Sequence, residues 1–391
     1  MTAASYGKQR EEEVKMDQNQ MMINGHAVSF TLGQTILEAA LAVDIWIPTL
    51  CHLKGATPTG ACRVCLVEVE GARTLQTACS TPAAAGMVVQ TESPKVVEAR
   101  RMVLELLIAS GNHNCAINHD GQGEWTDFQL AVQANDGSGD LCPVWGDCKL
   151  QDLAFRYQVK GDRFIPEPGA YPTEMANPLI VRDFSRCILC GRCVQACNEV
   201  QVNRAISHGY RGVESKIVAA GDRPLIDSEC VFCGECIQAC PVGALVEKKS
   251  RYQWRPWKET TVRTTCPYCG VGCQQLLHVQ DGRIVKVTGV EEAEPNQGRL
   301  CVKGRFGYDF IYSEDRLKTP LIREGDDFRE ASWDEALDLV ASRFKEIIDA
   351  SGPDAVAGVS CARSINEDSY QMQKLFRAVF KTNNIDHCAR T

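Results

Sequence analysis

Two stretches of this chain repeat one another cysteine for cysteine. Residues 187–197 read CILCGRCVQAC and residues 230–240 read CVFCGECIQAC, so Cys187, Cys190, Cys193 and Cys197 are matched by Cys230, Cys233, Cys236 and Cys240. The spacing C-x2-C-x2-C-x3-C has a physical meaning: three thiolates two residues apart wrap a tight turn around three corners of a cube, and the fourth ligand must come from elsewhere. Zinc sites or disulfides give no reason for eight cysteines in duplicate at this spacing. The whole chain holds 21 cysteines in 391 residues. Residues 1–20 are polar and charged, with no apolar segment or twin arginine of the kind that directs export. Without export thiols stay reduced, so dense cysteine usage predicts metal.

The repeat resembles the bacterial ferredoxins, which hold two [4Fe-4S] clusters on such a pair. That resemblance implies one cluster on Cys187, Cys190, Cys193 and Cys240, and its partner on Cys230, Cys233, Cys236 and Cys197. Pro241 follows the last cysteine as the motif expects, whereas Asn198 holds the equivalent place in the first repeat.

Clusters let small modules fold by replacing part of a hydrophobic core, so the length is read as several modules rather than two or three large domains. No apolar run approaches the roughly 18 residues of a membrane span. A formal charge of -8 without a basic block argues against nucleic acid. The expectation is a soluble, cytoplasmic protein.

Residues 1–20 read as a disordered tail. Residues 22–32 then give a hairpin around Asn24-Gly25, and Thr35 with Glu38 forms a capping box that opens a helix. Cys51, Cys62, Cys65 and Cys79 follow as C-x10-C-x2-C-x13-C, with Gly60 and Ala61 leaving room for backbone N–H groups near sulfur. The pattern resembles the N-terminal [2Fe-2S] domain of the large iron-sulfur subunit of respiratory complex I; a zinc site is the alternative. Ser93-Pro94 caps a further helix, read as packing only.

Complex I relatives continue with H-x3-C-x2-C-x5-C and a Leu-Gln-Asp tail. Here Cys142 and Cys148 keep the last spacing and Leu150-Gln151-Asp152 the tail, but Cys115 is displaced by an insertion. His113 stands two residues before Cys115 and His119 four after it. The resemblance implies a [4Fe-4S] cluster on His113, Cys115, Cys142 and Cys148. His113 is favoured because it enters from the same helix end, with His119 or a water as alternatives.

Beyond a proline-rich linker, the ferredoxin repeat and a second linker rich in tryptophan and arginine, TTCPYCGVGC places Cys266, Cys269 and Cys273, completed by Cys301. Gly270 and Gly272 keep this loop thin, and two strands around Asp281-Gly282 lie between. The segment resembles the N-terminal [4Fe-4S] domain of molybdopterin-dependent oxidoreductases, and CPYCGVGC with CVKGRFG is most similar to the formate dehydrogenases. In that family the lysine at the position of Lys303 helps pass the electron between cluster and pterin. After Arg316 the pattern predicts a helix capped by Ser332 and Glu335, a strand over 355–360 and an amphipathic helix over 367–380, the start of an αβα layer.

These sites take up nineteen cysteines and leave Cys361 and Cys388, read as small buried residues. No nicotinamide fingerprint is present, so a flavin or nicotinamide belongs to a partner. The fold class expected is α+β and multi-domain: a β-grasp [2Fe-2S] domain at 21–94, a His-Cys domain at 95–160, a two-[4Fe-4S] ferredoxin domain at 175–250, a small β-rich [4Fe-4S] domain at 259–315 and an incomplete αβα molybdopterin domain at 316–391. The resemblance implies a hetero-oligomer: one [2Fe-2S] and four [4Fe-4S] clusters linking a molybdenum or tungsten bis-molybdopterin guanine dinucleotide site, where formate is oxidised, to an NAD(P)-reactive flavin and iron-sulfur partner. A complex I or hydrogenase-diaphorase subunit without pterin, or a stand-alone electron-transfer module, are the other readings. The triplet Cys388-Ala389-Arg390 resembles the one that precedes the metal-binding cysteine or selenocysteine in formate dehydrogenases. No catalytic residue is then expected before Thr391, and the sequence is expected to be the front of a selenoprotein cut at UGA. The nucleotides after the Thr391 codon decide this.

Overall fold

The structure, a computed structural model, describes residues 19–111, 113, 142–159, 163–164 and 171–388. The tail before residue 19, Cys115, His119 and residues 389–391 lie outside the described residues. The chain divides into two units, one comprising the chain up to Ala176 with Val181–Glu229 and Ala239–Val246, the other Asn177–Ile180, Cys230–Gln238 and Glu247–Thr391.

In the first unit Asn24 and Gly25 take φ of 53° and 82°, the left-handed pair that a two-residue hairpin turn demands, between β1 (Gln20–Ile23) and β2 (His26–Ser29). With β3 (Leu66–Val69), β4 (Gln76–Thr77) and β5 (Val88–Gln90) they form a five-stranded sheet in the order β2-β1-β5-β3-β4. β1 runs parallel to β5 and antiparallel to β2. Met21, Ile23, Val67 and Val89 close a core with Ile36, Leu37 and Ala40 of α1 (Ile36–Leu41). Both halves of the predicted capping box form: Thr35 Oγ1 accepts from the Glu38 amide and the Glu38 carboxylate accepts from the Thr35 amide at 2.8 Å.

α2 (Pro94–Ala109) begins at the Ser93 cap and buries Val96, Arg100, Leu104 and Ile108, four residues apart on one stripe. It packs on β3 and on α3 (Lys149–Arg156). The chain then gives β6 (Ile180–Arg182), α4 (Arg192–Gln195) running into a π turn at Ala196–Val200, the hairpin of β7 (Ile206–Gly209) with β8 (Lys216–Ala219), α5 (Glu235–Ala239) and β9 (Leu245–Glu247).

The second unit holds the antiparallel sheet of β10 (Thr260–Thr265), β11 (Gln274–Gln280) and β12 (Arg283–Gly289), turned at Asp281-Gly282 with φ of 51° and 74°. The tryptophan-rich linker is packed: Trp254 and Arg255 are buried, and Lys286 lies 3.8 Å over the Trp254 ring. α6 (Val302–Phe306) follows Cys301, and β13 (Leu321–Glu324) with β14 (Asp327–Glu330) forms a hairpin.

α7 (Trp333–Ser351) opens at Ser332, whose side chain accepts from the Glu335 amide. The Glu335 carboxylate instead binds Arg329 at 2.5 and 3.2 Å, because a guanidinium offers two donors in its plane where the cap offers one. β15 is shorter than predicted, Gly358–Ser360, since Pro353–Ala355 forms a 3-10 turn before it. α8 (Asn366–Lys374) passes into a π turn at Leu375–Phe380 and returns to β16 (Ile385–His387), parallel to β15. Strand, helix and parallel strand thus follow one another at this end of the second unit. Among the described residues no helix is long and apolar enough to cross a membrane.

Candidate metal centres

Cys51, Cys62, Cys65 and Cys79 are all buried, and the structure draws them together. Cys65 and Cys79 have their sulfurs 3.3 Å apart. Hydrogen bonds from Cys62 and Cys79 pull the Cys51 thiol far down, while donating those bonds, together with burial, pushes Cys62 and Cys79 up. Four buried thiols that share protons in this way are a donor set suited to a cationic centre, and a [2Fe-2S] cluster takes four thiolates. Gly60 and Arg63 in this loop both have φ of 58°. The loop is held from behind by Arg100, whose Nε donates to the Val64 carbonyl at 3.0 Å and whose Nη2 donates to the Leu66 carbonyl at 2.7 Å. Arg100 also meets Glu92 at 2.5 Å and the Tyr157 hydroxyl at 2.8 Å, and its side chain is 0% exposed. The expectation that α2 only packs is therefore corrected. The sign lay in the sequence as an arginine in the middle of an apolar stripe.

The two ferredoxin repeats share an unusual backbone. Leu189 and Gly191 take φ of 53° and 78°; Phe232 and Gly234, their equivalents, take 53° and 73°. A bulky residue at positive φ is a strained feature that persists only where its surroundings require it, and the second repeat reproduces it in a different sequence. Burial pushes the Cys187 and Cys190 thiols up to about 11 and about 12, and the nearby Cys240 adds to both. Cys193 is buried in the same loop. Cys197 lies on the π turn of the first unit and accepts from the Ala205 amide at 3.3 Å. Cys230, Cys233 and Cys236 lie partly buried in the second unit, where Cys230 accepts from the Phe232 amide at 3.4 Å. Amides directed at sulfur are the groups that stabilise and tune cluster thiolates.

Of the four residues expected to hold the His-Cys cluster, three are described. Cys142 and Cys148 are buried, Cys148 at the start of α3, and Arg186 Nη1 lies 3.6 Å from the Cys142 sulfur. His113 stands just past α2 with a buried Nε2 that has no hydrogen-bond partner. Burial and the Arg186 charge hold its imidazole down to about 4. A neutral ring with an orphaned buried nitrogen is the form that ligates metal.

In the second unit the Cys266 amide donates to the Cys273 carbonyl at 2.8 Å, closing the CPYCGVGC loop. Burial raises the Cys266 and Cys273 thiols, and the neighbouring thiols, Cys269 and Cys301, raise both further. Cys301 is exposed. Lys303 is exposed on α6, and its charge draws the Cys266 thiol down against the effect of burial. Arg305, two residues on, is 2% exposed. It donates to the Cys233 carbonyl at 2.9 Å, to Gln238 Oε1 at 2.8 Å and to Glu235 at 3.0 Å, and so clamps the second ferredoxin loop. Nothing in its local sequence distinguishes Arg305 from a surface arginine.

Among the described residues no three His, Cys, Asp or Glu side chains converge as they would on a single ion. A cluster spreads its thiolates over several irons, so its ligands stand farther apart than those of one ion. In the first unit Cys51, Cys62, Cys148 and Cys190 belong to one apolar core, with Cys187 and Cys240 packed against it. The Thr57 amide, in the loop between Cys51 and Cys62, donates to Glu199 at 2.7 Å, and the Thr57 carbonyl accepts from Gln195. Glu199 and Gln195 flank Cys197.

Buried and partly buried thiols at these spacings, on loops bent to positive φ, define an iron-sulfur protein. Comparison with known proteins agrees. Residues 17–94 match the 2Fe-2S iron-sulfur cluster binding domain, 186–244 the 4Fe-4S dicluster domain, 259–313 the molybdopterin oxidoreductase Fe4S4 domain and 316–391 the molybdopterin oxidoreductase family. The chain is 36% identical over 370 residues to the NADPH-Fe(3+) oxidoreductase subunit alpha of Geobacter sulfurreducens, covering 95% of this chain and 40% of that one. It is 36% identical over 371 residues to an NADH-quinone oxidoreductase subunit of Rhizobium meliloti, covering 94% and 40%. A crystal structure of an NAD+-reducing [NiFe]-hydrogenase aligns with a TM-score of 0.51 at 32% identity, over 61% of this chain and 91% of that one. The chain thus carries iron-sulfur domains followed by molybdopterin oxidoreductase sequence, and is homologous to NADH-quinone oxidoreductase subunits and, at 30% identity, to proteins provisionally named formate dehydrogenases. It spans about two fifths of the length of the curated relatives it matches.

Proposed function

We propose that this chain is the iron-sulfur electron-transfer portion of a formate dehydrogenase catalytic subunit, working between a molybdenum or tungsten pterin site and an NAD(P)-reactive flavin and iron-sulfur partner in the cytoplasm. The observation that supports it best is the shared core of the first unit, which gathers thiols of the [2Fe-2S], His-Cys and first ferredoxin sets into one apolar cluster. The groups those thiols would hold supply one-electron carriers. The residues themselves hold sulfur in fixed places: burial of the Cys51, Cys62, Cys65 and Cys79 thiols shields that set from solvent, and amides and Arg305 set the charge around the thiolates. Lys303, on the helix that leaves Cys301, supports the reading through the resemblance, which gives a lysine at this sequence position the passage of the electron between cluster and pterin.

A second reading, an electron-transfer subunit of an NAD(P)-linked complex without formate chemistry, is favoured by the identities of 36% to proteins named for NADPH and NADH, against 30% for the formate dehydrogenase names. The full-length protein, purified without oxygen from its own host, separates the two. Formate-dependent reduction of a viologen, with pterin and molybdenum or tungsten near one per chain and a strong loss of rate in Lys303→Ala, is the expected result. A protein rich in iron but lacking pterin and either metal overturns the formate reading.

A further inference from the structure

Two thiols stand outside all of the candidate metal centres. They were expected to be small buried residues, and the structure corrects this: Cys361 is half-buried and Cys388 exposed, with their sulfurs 3.6 Å apart. The cause is the strand register. Parallel β15 and β16 set Ser360 opposite His387, so the next residue of each strand places Cys361 beside Cys388 at the carboxyl ends of both. Adjacent strands lie about 4.8 Å apart, within the Cα separation of about 4.4–6.8 Å that a disulfide spans. The sulfurs, 3.6 Å apart, are already near the separation from which a bond closes.

We propose that Cys361 and Cys388 are a reversible dithiol-disulfide site, which takes a small-molecule disulfide as its oxidant and closes to a Cys361–Cys388 bond. The surroundings assign an order to the two thiols. Among the described residues Cys388 is the more exposed of the two, and the Ala362 amide, Cys361 and the charge of Arg363 draw its thiol down, which favours the nucleophilic thiolate. Cys361 lies behind it, its sulfur accepting from the Arg363 amide at 3.3 Å. The Cys388 thiolate attacks one sulfur of the external disulfide, forming a mixed disulfide and releasing one thiolate, which takes up the proton that Cys388 gave up. The Cys361 thiolate then attacks the Cys388 sulfur, forming the protein S–S bond and releasing the second external thiolate with the second proton. Two protein thiols are oxidised and one external disulfide is reduced to two thiols.

The test uses the full-length holoprotein kept free of oxygen. It is incubated with oxidised glutathione, alkylated under denaturing conditions, digested and read by mass spectrometry. The peptides carrying Cys361 and Cys388 are expected as a cross-linked pair, two hydrogens lighter than their sum and separated by dithiothreitol. In Cys361→Ser the Cys388 peptide is expected to carry glutathione instead, because nothing remains to displace it. Recovery of both peptides in alkylated form, or of each with its own glutathione and no cross-link, overturns the proposal.

Discussion

Replacing Arg100 by leucine is expected to lower the stability of the holoprotein by about 3 kcal/mol and to abolish the [2Fe-2S] signal in its reduced electron paramagnetic resonance spectrum. The reason is the number of groups this one guanidinium serves. It binds the carbonyls of Val64 and Leu66, on either side of Cys65, together with Glu92 and the Tyr157 hydroxyl, from a position with no solvent. Leucine fills much of the volume but leaves those carbonyls without a donor, and an unsatisfied buried acceptor costs roughly 1–3 kcal/mol. Arg100→Lys keeps the charge but cannot reach four acceptors from one ammonium, so it should fall between. Lys95, on the same helix as Arg100, pairs with Glu68 of β3 at 3.5 Å, with more than half of the lysine side chain exposed. Lys95→Ala should change stability by less than about 1 kcal/mol. Anaerobic urea titrations and spectra of the three variants check this. An Arg100→Leu protein as stable as the parent, with its [2Fe-2S] signal intact, would show that the guanidinium does not hold the loop.

The second large effect concerns Gly234. Its φ of 73° is the left-handed conformation, and a Cβ there would come 2.3 Å from Arg305 Cδ and 2.7 Å from Phe306 Cζ. Neither neighbour can step aside cheaply, since Arg305 is buried and fixed by three hydrogen bonds. Backbone strain of roughly 1 kcal/mol and overpacking of about 1–3 kcal/mol predict a loss near 3 kcal/mol for Gly234→Ala. Gly191, the same position in the first repeat, supplies the comparison. Its φ is 78°, but a Cβ would meet only His208, at 3.2 Å. Gly191→Ala should therefore cost little more than the backbone strain, about 1 kcal/mol. The two substitutions are alike in sequence and in conformation, so their difference isolates the contact with α6. Equal losses in denaturant titrations would contradict the clamp assigned to Arg305.

What could be read from the sequence was mostly local. Asn24-Gly25 and Asp281-Gly282 specify their hairpins because few other pairs tolerate two positive φ values in succession. Thr35 with Glu38 specifies a helix start through groups three residues apart. The cysteine spacings work in the same way, since each set encodes a loop that must wrap around something. What escaped was set by contacts between distant segments. Arg305 and Gly234 are 71 positions apart in the numbering, and neither marks the other. Glu335 has the sequence of a capping residue, yet its carboxylate goes to Arg329 of the preceding hairpin. The approach of Cys361 to Cys388 depends on the register of β15 and β16, which single-strand patterns leave unspecified.

The thiol sets are expected to hold a series of clusters, so that nearly every cysteine serves electron transfer. The most direct measurement is the iron and acid-labile sulfide content of the full-length protein purified without oxygen, read together with Mössbauer spectra that separate two-iron from four-iron centres. About 18 iron atoms per chain are expected, in one two-iron centre and four cubanes. About two irons per chain, or zinc in place of iron at the ferredoxin repeats, would contradict it.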